Sequence, residues 1–364
     1  MACKRYLYCC LLLLSVLLVG QGDACGEPVA QAGGSLLFMR DGRFWLATAQ
    51  GSDARKLCPG EGLGSYWRPV WDRKGRRFAW VEVDGVWVYD TARASRFRVP
   101  MAPPAKLAPW GTPAWDGDGN GLYVGGFVSR QIDADGGLWR IPVQRGGKAE
   151  VIFPAIDADY AAHLSPKISP GGRYLASGYR AEVSDLRVYD LVRRRELGVT
   201  KPKAVVDHHL DYEWCGEGML LVSCDTHAIP ELELARGPGG VWKWDLVTGK
   251  ATPWLAGGLP VEEVAVSPKG RLIAFVVGSG GAAAGTEVKE LRVYDSAGKG
   301  TATVWRGRGK RCTVGWSPDG QALAVLCEQG GIDGDLWVVN RGTGKARLVA
   351  HEVGGFAWRP GGSR

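Results

Sequence analysis

Three observations predict an all-β fold, a seven-bladed β-propeller with four antiparallel strands per blade. One turn phrase recurs seven times, a strand signature recurs between its copies, and Gly 54 and Pro 20 punctuate the 364 residues. The phrase reads Trp71-Asp-Arg-Lys-Gly75, Trp115-Asp-Gly-Asp-Gly119, Ile168-Ser-Pro-Gly-Gly172, Trp214-Cys-Gly-Glu-Gly218, Val266-Ser-Pro-Lys-Gly270, Trp316-Ser-Pro-Asp-Gly320 and Trp358-Arg-Pro-Gly-Gly362. Each copy is a large apolar residue followed by a tight turn, with Pro or Asp early in all but the fourth and Gly late in every one.

The elements follow in order within each repeat. The large apolar residue ends a first strand. After the turn an apolar run such as Phe78-Ala-Trp80 or Leu323-Ala-Val325 makes a second strand. A third carries the recurring signature, as in Val86-Trp-Val-Tyr-Asp90, Leu186-Arg-Val-Tyr-Asp190 and Leu291-Arg-Val-Tyr-Asp295, where alternation and the aromatic and β-branched bias both indicate strand. A polar turn and a short fourth strand, such as Ala346-Arg-Leu-Val349, complete the unit. Trp358 opens a seventh unit with its first strand only. The other three strands lie at the N-terminal end, in Leu36-Leu-Phe38, Phe44-Trp-Leu-Ala47 and Ala54-Arg-Lys-Leu57. Joining the two ends in one blade closes the ring and removes an open sheet edge.

These phrases resemble the WD40-like (PD40-type) repeats of the TolB family of exported propellers, whose units read Trp-Ser-Pro-Asp-Gly followed by an aliphatic-Tyr-x-Asp strand. The resemblance spans residues 35 to 362 and implies fold more than function. This chain has no room for the α/β domain that precedes the TolB propeller, and it has no Gly-x-Ser-x-Gly elbow such as peptidase relatives carry in a separate domain.

Residues 1–24 read as a cleaved signal peptide. Lys4 and Arg5 precede the apolar run Leu11 to Val19, which is too short to span a bilayer, and small residues Gly20, Gly22 and Ala24 follow. Residues 25–34 form a short linker and 35–362 a single propeller. The protein is expected to be exported, periplasmic or extracellular, with no transmembrane span in the mature chain and a monomeric state. Cys25, directly after Ala24, is a candidate lipid anchor, although Gly22 and Asp23 depart from the usual lipoprotein pattern. The net charge of +7 is mild, and the basic runs at Arg193 to Arg195 and Arg306 to Arg311 are not interleaved with aromatics, so no nucleic-acid partner is expected. In an oxidising compartment Cys312 and Cys327, placed symmetrically about the turn at 317–321, form a candidate disulfide. Cys215 and Cys224 flank a shorter hairpin and form a second candidate pair.

Most tryptophans fall on repeat positions and read as structure. Asp116-x-Asp118-x-Asn120-Gly121 imitates the start of a calcium loop, but Phe127 stands where Glu is required, so it reads as a blade turn. The histidines are more informative. In a propeller the blade connections and the second-to-third loops share one face. His163, His208, His209 and His351 precede first strands, and His227 lies in a second-to-third loop, so all five map to that loop face, beside Asp207 and Asp225. Imidazoles and carboxylates suit a divalent metal, with His163, His208, His227 and Asp225 as the candidate ligands. Connections on this face are also the long ones. Two functions are compatible with this pattern. The first is a non-catalytic binder of a protein, peptide or envelope component. The second is a metal-dependent carbohydrate-active enzyme, because oligogalacturonate lyases resemble the same seven-bladed architecture with a histidine-rich metal site.

Overall fold

The structure is a computed structural model that describes residues 34–48, 50–60, 68–82, 84–100, 109–126, 137–144, 147–154, 162–180, 184–197, 211–224, 239–278, 287–298, 300–331 and 333–361. Residues 1–24, read from the sequence as a signal peptide, and Cys25 lie outside the described residues. Before the first complete unit come β1 (Leu36–Arg40), β2 (Arg43–Ala47) and β3 (Arg55–Pro59). Unit one holds β4 (Val70–Trp71), β5 (Arg77–Glu82), β6 (Gly85–Asp90) and β7 (Ser95–Arg98). Unit two holds β8 (Pro109–Trp115), β9 (Gly121–Gly126), β10 (Gly137–Pro142) and β11 (Glu150–Pro154). Unit three holds β12 (Ala162–Ile168), β13 (Tyr174–Arg180), β14 (Ser184–Asp190) and β15 (Arg195–Glu196). Unit four holds β16 (Tyr212–Trp214), β17 (Met219–Cys224), β18 (Gly240–Asp245) and β19 (Lys250–Leu255). Unit five holds β20 (Val261–Val266), β21 (Leu272–Gly278), β22 (Val288–Asp295) and β23 (Gly300–Arg308). Unit six holds β24 (Arg311–Trp316), β25 (Ala322–Glu328), β26 (Gly334–Asn340) and the first part of β27 (Ala346–Trp358).

Units one to five are separate four-stranded antiparallel sheets. Unit six continues through β27 into β1, β2 and β3 as one seven-stranded sheet. β27 thus serves as the fourth strand of unit six and the first strand of unit seven. The closure register is Leu36 opposite Trp358, Leu37 opposite Ala357, Phe38 opposite Phe356 and Met39 opposite Gly355. First strands of successive units lie against one another all the way round, β4 on β8, β12, β16, β20, β24, β27 and back to β4, which puts them innermost in a ring of seven.

The turn phrase folds in the same way in five of the six units whose turns are described, and unit four, with Cys215 second and Gly216 also at positive φ, departs from it. The amide of its last Gly donates to the carbonyl of its second residue in units one, two, three, five and six, at 2.8–3.2 Å. Gly75, Gly119, Gly172, Gly218, Gly270 and Gly320 all take positive φ between 62° and 80°, a conformation that accounts for the glycine in the phrase. The second residue caps the turn. Asp72 accepts from the Arg76 amide, and the hydroxyls of Ser169, Ser267 and Ser317 accept from the amides of Tyr174, Leu272 and Ala322. Asp116 does the same for the Asn120 amide and also holds Arg140, so its carboxylate serves the turn and strand three.

The phrase tryptophan joins neighbouring units. The indole N–H of Trp115 donates to Val70, that of Trp214 to Lys167, that of Trp316 to Ala265 and that of Trp358 to Gly315, at 2.9–3.1 Å. In every case the acceptor is the carbonyl one residue before the phrase of the preceding unit. At the closure seam Trp71 carries the Arg359 guanidinium over its ring, and Arg359 Nε donates to Gly75 across the chain ends at 2.7 Å.

Cys312 and Cys327 are directly opposed on β24 and β25 and are joined as a disulfide, with Cα atoms 4.1 Å apart. The pairing expected of Cys215 and Cys224 does not form. The β16–β17 hairpin turns earlier than the cysteine spacing implies, with Trp214 opposite Leu220. Cys215 therefore sits at the turn, its amide donating to Met219, while Cys224 lies at the far end of β17 opposite Gly240.

Replacing Trp316 with Phe keeps the ring and removes its indole donor, so it is expected to cost about 1 kcal/mol, whereas Trp316→Ala is expected to cost about 3–5 kcal/mol. Chemical unfolding of the two variants measures the difference. Deleting residues 355–364 exposes the inner edge of β1. It should lower the melting temperature of the entire ring in a single transition, and an unchanged melt would refute the shared seventh unit.

Candidate functional site

The inner strands bring together a constellation that the histidine pattern does not show. Three residues before the large apolar residue of each turn phrase stand Arg68, Thr112, Ser165, Asp211, Glu263, Thr313 and Gly355. One position in the first strand, or directly ahead of it, is thus polar or small in all seven units. The first strands are irregular at this height. Register shifts fall between Trp110 and Ala114, between Leu164 and Lys167, between Val261 and Glu263, and opposite Met39 and Arg40 on the β27 side. Such bulges re-aim side chains at the end of the strand nearest the loop face.

Glu263 is the hub. It is 2% exposed, and Arg68 Nη2 donates to both of its oxygens, at 2.7 and 3.0 Å. The Val314 amide of unit six donates to Glu263 Oε1 at 3.2 Å. Asp211 makes the equivalent link one unit back, accepting from the Val264 amide at 3.0 Å. Lys167 lies 3.4 Å from Asp211 and 3.2 Å from Glu213, and it also donates to the Tyr212 carbonyl. Arg68 is itself placed by its backbone amide, which donates to Thr112 Oγ1 at 2.9 Å. The Tyr212 hydroxyl donates to the Ser165 carbonyl at 2.6 Å. Units one to six therefore meet through polar groups at one level of the ring.

Beside this hub, on unit five, Lys289 is 1% exposed and is held between Glu262 and Glu287. Burial raises the Glu262 pKa against the opposing pull of Lys289. Burial also raises the Glu263 carboxyl above its ordinary value, and the Asp211 charge adds to this, while Arg68, Arg311 and Lys167 pull it down. Burial works against the Lys167 ammonium, but Asp211 and Glu213 outweigh it, so its pKa stands above the usual lysine value.

The histidine site is only partly in view. His208, His209 and His227, with Asp207 and Asp225, lie outside the described residues. His163 is in β12 with its backbone opposite Tyr179. His351 lies in β27 where unit six passes into unit seven, on the loop face. Its ring is two-thirds exposed, and its Nδ1 is 2.7 Å from Asp335 Oδ1. Among the described residues no three His, Cys, Asp or Glu side chains form a metal-binding group.

No family model and no curated protein matches the chain. Solved structures match its fold. A puromycin-hydrolysing peptidase from Mycobacterium tuberculosis aligns with a TM-score of 0.61 at 14% identity, over 90% of this chain and 53% of the peptidase, so the chain spans about half the peptidase's length. Dihydro-heme d1 dehydrogenase NirN aligns with a TM-score of 0.57 at 16% identity, over 92% of this chain and 77% of NirN. TolB from Acinetobacter baumannii aligns with a TM-score of 0.51 at 15% identity, over 93% of this chain and 82% of TolB. The fold is a TolB-like β-propeller.

The raised pKa of Glu263 gives a signed expectation. The folded protein takes up this proton more readily than the unfolded chain, whose carboxyl titrates near 4.5. The stability contributed by protonated Glu263 is complete below that value and is lost as pH rises through the elevated folded value. The melting temperature of the natural protein relative to Glu263→Gln should therefore fall as pH rises from about 4 to neutrality. Thermal unfolding across that range checks the slope.

Proposed function

We propose that the chain is an exported, non-catalytic propeller that binds a protein, peptide or envelope component through its loop face. The observation that carries this reading is the ring of polar and charged side chains set by the first strands at the loop-face end of an otherwise apolar core. The long connections that leave the same face in the sequence support it. Export rests on the signal-like segment at residues 1–24. Among the described residues no helix is long and apolar enough to cross a membrane. Enzymes stand among the similar structures, but at 14–16% identity the likeness is one of fold.

A photo-crosslinking residue tests the face. Placed at His351 on the loop face, it should yield a discrete adduct in the native host. Placed at Val247, which is 86% exposed in a third-to-fourth turn on the opposite face, it should yield none. Adducts confined to Val247 would overturn the assignment. The metal-dependent reading through His163, His208, His227 and Asp225 draws on the repeat pattern of the sequence, which assigns every histidine to one face. Elemental analysis of the purified protein separates it, since a stoichiometric divalent metal favours the enzyme and its absence after metal supplementation favours the binder.

A further inference from the structure

Two sets of turns share the face opposite the loops. In units one to six a backbone amide of the third-to-fourth turn donates to a carbonyl of the first-to-second turn, from Thr91 to Arg76 in unit one and from Arg341 to Gln321 in unit six, at 2.9–3.1 Å. The carboxylates of these turns lie inside. Asp72, Asp116 and Asp190 are buried, and they are paired with Arg77, Arg140 and Arg173. The cations lie outside: Arg73, Lys74, Arg93, Arg193, Arg195 and Lys250 are exposed. The same face carries the two most exposed large apolar side chains among the described residues, Val192 at 73% and Val247 at 86%. One device holds both. The carboxylates of Asp190 and Asp245 accept from the amides of Val192 and Val247, at 3.1 and 2.8 Å, which satisfies the backbone of the turn and leaves the side chain at its tip. The equivalent residues of units one, two, five and six are Ala92, Gln144, Ala297 and Gly342, so the adjacent units three and four present the branched apolar tips, beside Arg193, Arg195 and Lys250. The chain also enters the ring at this face. The amide of Arg359, in the last turn phrase, donates to the Ser35 carbonyl at 2.8 Å, directly ahead of β1. The nine residues between Cys25 and Ser35 reach at most about 30 Å, so a chain tethered at Cys25 has this face nearest its membrane.

We propose that the turn face is a docking surface for an anionic lipid bilayer, in which Val192 and Val247 enter the headgroup layer, Arg193, Arg195 and Lys250 lie against lipid phosphates, and the loop face is turned away from the membrane. Apolar tips flanked by cations are the combination that holds a protein on a charged bilayer, since the first gain burial and the second gain the surface potential. A soluble polyanion would engage the cations and leave the valines in water. Arg194 is paired with Glu150 of unit two and belongs to a seam, so it is left out of the contact. The surface does not depend on what the loop face binds. At this surface Val247 meets lipid and gains no discrete protein adduct, in keeping with the loop-face reading above.

The test is co-sedimentation with vesicles. The ring closes within residues 34–361, so the chain from residue 25 with Cys25→Ser carries the whole fold without the apolar segment ahead of it. It should partition onto vesicles of equimolar phosphatidylcholine and phosphatidylglycerol but not onto phosphatidylcholine alone, and rising salt should release it. Arg193→Gln with Arg195→Gln should weaken partition at least about tenfold, and Val192→Ser with Val247→Ser at least about fivefold. Arg308→Gln with Lys310→Gln, exposed in the connection from β23 to β24 on the loop face, should leave it unchanged. Absence of partition by the unsubstituted chain, equal partition onto phosphatidylcholine alone, undiminished binding by either turn-face variant, or an equal loss from the loop-face pair overturns the proposal. Retention on heparin with no partition onto vesicles also overturns it and identifies a soluble polyanion as the partner of these turns. Loop-face adducts at His351 without vesicle binding would remove this surface and leave the loop-face reading standing, whereas vesicle binding without those adducts would do the reverse.

Discussion

The ring depends on the seam between one first strand and the next, and the indole-to-carbonyl bond is what fixes that seam. A four-stranded sheet of this size cannot bury both faces by itself, so each unit is stable only against its neighbours. Apolar contact alone would let two twisted sheets slide. The indole N–H of Trp115, Trp214, Trp316 or Trp358 removes that freedom, because it must reach one particular carbonyl one residue before the preceding phrase. Where the phrase opens with Ile168 or Val266 no such donor exists. At the seam between units four and five a polar link works instead, the Asp211 carboxylate accepting from Val264. The seam that joins the chain ends uses a third device, Arg359 on Trp71 and Gly75.

The same geometry explains why charge is tolerated at the centre. Seven first strands packed at one axis leave no space for seven large side chains at the same height, and the strands bulge there. Charged groups at that level are stable only when paired and hydrogen-bonded, since an unpaired buried charge costs several kcal/mol. Each carboxylate in the ring accordingly has both a cation and a backbone amide: Glu263 has Arg68 and Val314, and Asp211 has Lys167 and Val264. Such a network contributes little net stability compared with an apolar core. What it does contribute is a fixed arrangement of charge on the loop-face side.

The architecture was legible because turn chemistry repeats where side-chain identity does not. The phrase glycine marks positive φ, its second residue marks the cap, and the end-to-end strand count identifies the shared seventh unit. The polar ring is equally present in the sequence, three residues before each phrase, but its residue types vary from unit to unit and do not stand out as five histidines in 364 residues do. The signal is a charged residue at that position, as Glu263 in Val261-Glu-Glu-Val-Ala-Val266 and Asp211 ahead of Tyr212-Glu-Trp214. The partnership of Arg68 with Glu263 could not be read at all, because it joins residues 195 apart through the closure of the ring. Cys215 and Cys224 failed for a local reason: in a hairpin, the turn sets the register, and here it is centred before the midpoint of the two cysteines.

The two faces of the ring spend their polar groups differently, and this bears on which face can recognise another molecule. On the turn face, neighbouring phrases clasp one another. Arg77 of unit one donates to the Gly119 carbonyl of unit two. Glu217 of unit four accepts from the Ser169 hydroxyl and the Gly171 amide of unit three. Arg359 reaches Gly75. These contacts bind the turns to each other, so altering a residue there disturbs a seam. At the loop-face end, the charged side chains are carried on strands that the seams already hold. Arg68, Lys167 and Glu213 remain about a quarter exposed while contacting buried partners. Asp211 itself holds the seam between units four and five through the Val264 amide, whereas the partly exposed heads of Arg68, Lys167 and Glu213 lie beside the indole seams rather than in them, which is the physical reason to look for the binding surface there.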